Sequence, residues 1–173
     1  MPLAVTHIIL TILAVDIYRD YITKHKKYFS LHTILIAGIA GLLPDIDIPI
    51  NWLLSLFGQS LALMKHGGLT HTPLFGLVFL MPAFIFLRKN KHKIAMYFFV
   101  IAFGILFHIF LDYLFGGGAW EGVMWFFPFS INAYKIHLLS RLGLSNFPAA
   151  IDAVILLAWL YHEERKHKIS DFI

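Results

Sequence analysis

The chain has 173 residues, 59% of them hydrophobic and only 14% charged, with a formal net charge of +4 and no cysteine. A soluble domain of this size carries about a quarter charged residues, so the apolar excess points to lipid as solvent rather than to a larger core. The missing cysteine excludes disulfides, Cys-based zinc sites and thiol nucleophiles. The small positive charge sits in short clusters between apolar runs, which argues for membrane orientation and against a nucleic-acid partner.

The predicted elements are all helices. Residues 2–18 form a first apolar run. It has no basic leading region and no small-residue cleavage site before Asp16, so it reads as a retained helix rather than a signal peptide. Residues 31–43 form a second run, closed by Pro44. The stretch 50–64, apolar around a central Gly-Gln, is expected at the interface or as a re-entrant segment. Residues 73–87 and 94–115 are joined by the basic hexamer RKNKHK, and residues 148–162 are followed by ERKHK. Residues 116–147 hold a Gly-Gly-Gly tract, clustered aromatics and a proline, and are expected to be loop packed on the membrane surface. The expectation is one all-α domain over residues 1–173, a polytopic membrane helix bundle of about five spans plus the interfacial or re-entrant segment. Several runs fall short of the roughly 20 residues that a span needs, which implies a thinned bilayer or covered ends.

The basic clusters set the expected topology. They are Lys24, Lys26 and Lys27, then Arg88 to Lys93, then Arg165 to Lys168. Each follows an odd-numbered span, so with the N-terminus outside all three lie inside. The chain is then a multi-pass protein of the inner (plasma) membrane.

Ionisable residues in or beside spans are costly and tend to be functional. His7 lies in the first run, Asp45 and Asp47 close the second, and His66 and His71 precede the third. His108 and Asp112 stand one turn apart near the outer end of the fourth. In this topology all seven fall at the extracytoplasmic depth, although lysine and arginine alone placed the spans. His108 and Asp112 share a helix face at i and i+4. Pro44 is expected to leave Asp45 and Asp47 on extended backbone, and Gly67 and Gly68 to let the chain fold back under His66 and His71. Mixed His/Asp ligation suits Zn²⁺ first, with Mn²⁺ or Fe²⁺ as alternatives, over Ca²⁺ or Mg²⁺. Seven ligands exceed one tetrahedral site, so one or two ions are expected.

Taken singly, each element has a bland explanation. A lone histidine in an apolar helix is usually a packing residue, and a Pro-Asp-x-Asp sequence is a common helix stop. Together they need a partner for three carboxylates, and the predicted outer side offers only Lys65, Lys135 and Arg141 as cations. A metal is the economical partner. Glu121 lies on the same side as a further ligand, a general base or a solvated loop acid. Asp16 is expected to pair with Arg19, and Asp152 to support the site or favour a helix N-terminus. His137 has no ligand neighbour at helical spacing. His25, His32, His92, His162 and His167 read as surface or interfacial.

Taken in order, Thr6–His7, Pro44–Asp45–Ile46–Asp47, His66 with Thr70–His71–Thr72, His108 with Asp112, and Pro128–Phe129–Ser130 resemble the YdjM-type family. These proteins are described as membrane-bound metal-dependent hydrolases, some of them under the DNA-damage repressor of bacteria. The family is in turn distantly similar to zinc-dependent phospholipase C and single-strand nuclease enzymes. The resemblance implies that Asp112 bridges two metals, that His108 and one of His66 or His71 complete one of them, and that His7 helps to hold another. Asp112, Asp47 and Glu121 are the expected catalytic residues. Gly67 stands where the family often has Arg, and Thr72 where it often has Ser.

Three functions compete. The first is a hydrolase that uses metal-activated water on a phosphoester of a lipid or lipid-linked substrate, with Trp120, Trp125, Phe126 and Phe127 lining an interfacial entrance. The second is a membrane metal transporter or sensor with the same ligands and no chemistry. The third, a metal-free lipid phosphatase, lacks the Arg and Lys needed to clamp phosphate.

Overall fold

The computed structural model describes residues 4–23, 28–59, 66–116, 122–143 and 148–167. Among these residues there are eight α-helices: α1 (Ala4–Ile17), α2 (Leu31–Ala40), α3 (Asp47–Ser55), α4 (Pro73–Val78), α5 (Leu80–Arg88), α6 (His92–Phe115), α7 (Leu138–Arg141) and α8 (Pro148–His167). No strand occurs among them. Two residues, Val123 and Tyr134, make an isolated antiparallel bridge. The all-α expectation therefore holds.

The central helix is α6, which packs against α1, α2, α4, α5 and α7. Small residues make the contacts of α6 with α2 and of α2 with α1. A Cβ on Gly104 would stand 2.6 Å from the Ala37 carbonyl oxygen, and one on Gly38 would stand 2.7 Å from Ile12. Gly41 leaves no more room, with Thr11 Oγ1 at 2.9 Å and the His7 carbonyl oxygen at 3.2 Å. Such close backbone approach is how helices associate in lipid, where apolar transfer drives little and van der Waals contact does more. Val15, Ile34, Ala37 and Val100 fill the space below this crossing, and Ile105, Ile109 and Val123 fill the space above it.

The expectation of about five spans needs correction. Among the described residues, only α6, with 24 residues, is long and apolar enough by itself to cross a bilayer. Its length is about 36 Å at 1.5 Å per residue. Together α2 and Pro44–Ser55, bent by 51°, would make a second span or a re-entrant loop. Prolines and charges shorten the rest. Pro82 cannot donate to the Val78 carbonyl, and the predicted helix 73–87 divides into α4 and α5 at Phe79. After 14 residues α1 passes into a π-helical turn, Tyr18–Thr23, that carries Arg19 and Asp20. The apolar part of α8 ends at the charged sequence Glu163–Glu164–Arg165–Lys166.

Helix direction gathers the candidate ligands at one end. The N-terminal end of α1 and the C-terminal ends of α2 and α6 meet there. The opposite end is marked by the ring contacts Tyr28–His92 and Tyr21–His162. The described parts of the basic segments, Arg88–Lys93 and Arg165–Lys166, follow α5 and close α8 at that opposite end.

Candidate metal centre

Four stretches of chain supply the centre. Ser30 caps α2, its Oγ accepting from the Thr33 amide, and α2 ends at Gly41. Pro44 then opens a 3₁₀ turn, Pro44–Ile46, that runs into α3. Asp45 and Asp47 thus stand on helical backbone and not on the extended backbone expected. The reason is local: proline fits the first turn of a helix, where no amide partner is needed. Gly67 adopts φ +83°, which only glycine enters freely, and turns the chain into the 3₁₀ segment Leu69–His71. That turn places His66 and His71 against the same carboxylates. From α1 comes His7, and from α6 come His108 and Asp112.

Two groups of ligand atoms result. His7, His108 and Asp112 form one, and Asp45, His66 and His71 form the other; within each, the ligand atoms lie within 4.8 Å of one another. Asp112 joins them. Its Oδ1 is 3.5 Å from His7 Nε2, while its Oδ2 is 3.2 Å from His108 Nε2 and 3.6 Å from His71 Nε2. Asp45 Oδ1 approaches His71 Nε2 at 3.4 Å, His108 Nε2 at 3.7 Å and His66 Nδ1 at 3.8 Å. The seven residues expected from sequence therefore meet in one place.

Hydrogen bonds fix how the rings face. His108 Nδ1 lies 2.6 Å from the Gly41 carbonyl oxygen. A carbonyl only accepts, so Nδ1 carries the proton, and in the neutral ring Nε2 turns a lone pair toward carboxylate oxygens. Lone pair against anion is repulsive unless a cation stands between them. Asp47 stands one layer behind. It is fully buried, receives Thr70 Oγ1 at 3.2 Å, and faces His66 Nδ1 at 3.2 Å and His71 Nδ1 at 3.4 Å. That is the position of a carboxylate orienting metal-bound imidazoles through their far nitrogens. Its hydrogen bond with His66 raises that imidazole above its ordinary range, against the pull of burial.

The residues present fit a metal. Nε2 of His66, His71 and His108 are buried without hydrogen-bond partners. Among the described residues, no lysine or arginine reaches Asp45, Asp47 or Asp112. Three carboxylates and four imidazoles, most of them buried, are a donor set for divalent cations. The side chains of Asp45 and His66 remain 21% and 20% exposed, so one side of the centre opens to the surface.

Other candidates fall elsewhere. Glu121 and Trp120 lie outside the described residues. His137 is exposed, in left-handed backbone at the start of α7. Asp152 is buried and accepts from Thr6 Oγ1 at 2.6 Å, beside His7 rather than on a ligand atom. Two contributors are not evident from the sequence pattern. Thr70 bridges Asp47 and His71, and its one signal is a hydroxyl next to the second histidine. The Gly41 carbonyl is a backbone acceptor that no side-chain pattern announces.

No curated protein and no solved structure matches the chain. The family model for the YdjM inner membrane protein matches residues 1–169, and the chain belongs to that family of membrane proteins.

Proposed function

We propose that this protein is a metal-dependent hydrolase of the membrane, acting on a phosphoester of a lipid or of another membrane-proximal substrate. The observation that carries the reading is the place of Asp112 between the two groups: its Oδ1 faces His7, and its Oδ2 faces both His108 of the first group and His71 of the second. This is the disposition of a carboxylate shared by two cations, and it supports the likeness to zinc-dependent phospholipase C enzymes. Divalent ions there, Zn²⁺ before Mn²⁺ or Fe²⁺, would act as Lewis acids and acidify a water molecule.

The chain's own residues do the rest. His7, His71 and His108 would offer ring nitrogens, Asp112 and Asp45 would balance charge, and Asp47 and Thr70 hold the rings in place. Substrate would approach from the side of Asp45 and His66. On another face of α6, an aromatic groove of about 400 Å³ is lined by Phe110, Tyr113, Trp125, Phe126 and Tyr134 and by none of the candidate ligands. Such apolar walls suit the apolar tail of a lipid. The basic ends of α5 and α8 lie opposite the centre, which supports a multi-pass arrangement with the centre on the extracytoplasmic side. Where the described helices are shorter than a span, that topology requires a thinned bilayer.

The test is to purify the protein in detergent, measure bound metal, and assay phosphate or head-group release from phospholipids and from a soluble phosphodiester. Metal-dependent release that Asp112→Ala abolishes is expected. Bound metal with no release from any phosphoester would overturn the hydrolase reading in favour of metal transport or sensing, and flux into proteoliposomes would separate those two.

A further inference from the structure

A second cluster of ionisable side chains lies at the other end of α1, where α8 meets the π-helical turn. His7 and Asp16 are nine residues apart, about 14 Å along a helix, so the two clusters share no side chain. Asp16 is 1% exposed and Glu163 5%. Arg19, also buried, forms an ion pair with Asp16 Oδ1 at 2.6 Å and donates to Asp20 Oδ1 at 2.8 Å. Trp159 Nε1 donates to Asp16 Oδ2 at 3.4 Å, and His162 Nε2 stands 3.6 Å from Asp20 Oδ2. By sequence His162 reads as a surface residue, yet its side chain is only 18% exposed and faces this cluster.

We propose that Asp16, His162 and Glu163 form a second divalent-cation site, of the Mn²⁺/Fe²⁺/Zn²⁺ class, that ties α1 to α8 at the end opposite the first centre. One ligand atom from each lies within 4.8 Å of the other two. Glu163 Oε1 and His162 Nε2 are buried without hydrogen-bond partners. Of the neighbouring cations among the described residues, Arg165 bonds the Tyr161 hydroxyl, and Lys166 lies over the Tyr21 ring at 4.6 Å. An imidazole with carboxylates selects first-row transition ions over Mg²⁺. The π-helical turn contributes by setting Arg19 and Asp20 inward just after Asp16; such turns recur at functional sites.

The competing arrangement is a proton held between Asp16 and Glu163. Burial first, then the hydrogen bond with Asp16, pushes Glu163, beyond the apolar run of α8, up to about 8.

The experiment is a Co²⁺ titration of the metal-stripped, full-length protein in detergent, counting equivalents bound and recording the visible spectrum. Glu163→Gln should bind one equivalent fewer than the unmodified protein. Asp112→Asn should keep that equivalent while losing metal from the first centre, and the doubly substituted protein should lose both. His162→Gln reads the same equivalent if Glu163→Gln does not fold. Equal stoichiometry in Glu163→Gln, His162→Gln and the unmodified protein would overturn the proposal and leave the shared proton. So would an Asp112→Asn protein that binds no Co²⁺ although folded. Because the inner equivalent is counted in Asp112→Asn, its presence or absence is independent of whether the first centre hydrolyses anything.

Discussion

The imidazole rings of His7 and His108 stack at 3.8 Å between centroids, with 21° between their planes. One ring belongs to α1 and the other to α6, and both turn Nε2 toward Asp112. Two imidazolium rings would repel at that separation, whereas two neutral rings each leave a lone pair for a cation. Replacing His7 by Ala should therefore remove metal and not merely loosen packing. We expect the loss of about one equivalent of Zn²⁺ with α-helical content unchanged, checked by elemental analysis alongside circular dichroism. Full metal occupancy in that variant would exclude His7 as a ligand.

Asp47 touches rings and not the centre of either ligand group. Asp47→Asn keeps the shape but weakens the hold on His66 and His71. Orienting carboxylates of this kind are worth about 10- to 100-fold in metal affinity. A chelator competition should show a drop of that size, with stoichiometry at saturating metal unchanged. An undiminished affinity would mean that Asp47 only neutralises charge.

Gly104 is the tightest point of the α2–α6 crossing, where an added Cβ would meet the Ala37 carbonyl oxygen at 2.6 Å. Gly104→Ala must push the helices apart, and overpacking of this sort costs about 1–3 kcal/mol. The same movement carries Gly41 away from His108. The expected result is a lower Tm together with weaker metal binding, although residue 104 is no ligand. A change in one without the other would show that crossing and centre are uncoupled.

Metal removal should destabilise the whole molecule. Asp45, Asp47 and Asp112 share a largely buried site with no arginine or lysine among the described residues to answer them. An ion present at about 1,000 times its Kd contributes roughly 4 kcal/mol. Chelation should lower Tm by several degrees in the unmodified protein and have a much smaller effect in Asp112→Ala. Acid should act like the chelator, because ligand nitrogens and carboxylates must lose their protons to bind.

Much of the centre is legible in the sequence because its residues are expensive where they stand. A histidine one turn before an aspartate in an apolar helix, and a pair of aspartates after Pro44, are visible against a hydrophobic background. The number of spans is less legible. Hydropathy reads a run of apolar residues as continuous, but Pro82 divides one such run, while helices on either side of the expected stop at Pro44 meet at 51° and would together make one bent span or a re-entrant loop. The backbone state at Asp45 is hidden for a related reason: a proline that ends one helix can begin the next. His162 is hidden because its basic neighbours suggest solvent, while its own side of α8 faces Asp16 and Asp20.

Thr6 offers a test of how α8 supports the centre. Its hydroxyl donates to Asp152 at 2.6 Å, one residue from His7. Thr6→Val preserves volume but leaves a buried carboxylate without that donor, at a cost of about 1–3 kcal/mol. Thermal unfolding should register the loss, and Asp152→Asn combined with Thr6→Val should recover part of it. No recovery would indicate that the hydroxyl serves α1 alone.

The ligands of the first centre are spread between residue 7 and residue 112, and this has a temporal consequence. A ribosome delivers His7 first, and Asp45, Asp47, His66 and His71 follow before α6 exists. Until α6 is inserted, those carboxylates have neither Asp112 as companion nor the Gly41–His108 hydrogen bond to hold the geometry. Metal capture at the proposed centre would thus be a late event, certifying that α1, α2 and α6 have found one another. A chain ending before residue 92 should carry those earlier ligands and yet be unable to retain an ion.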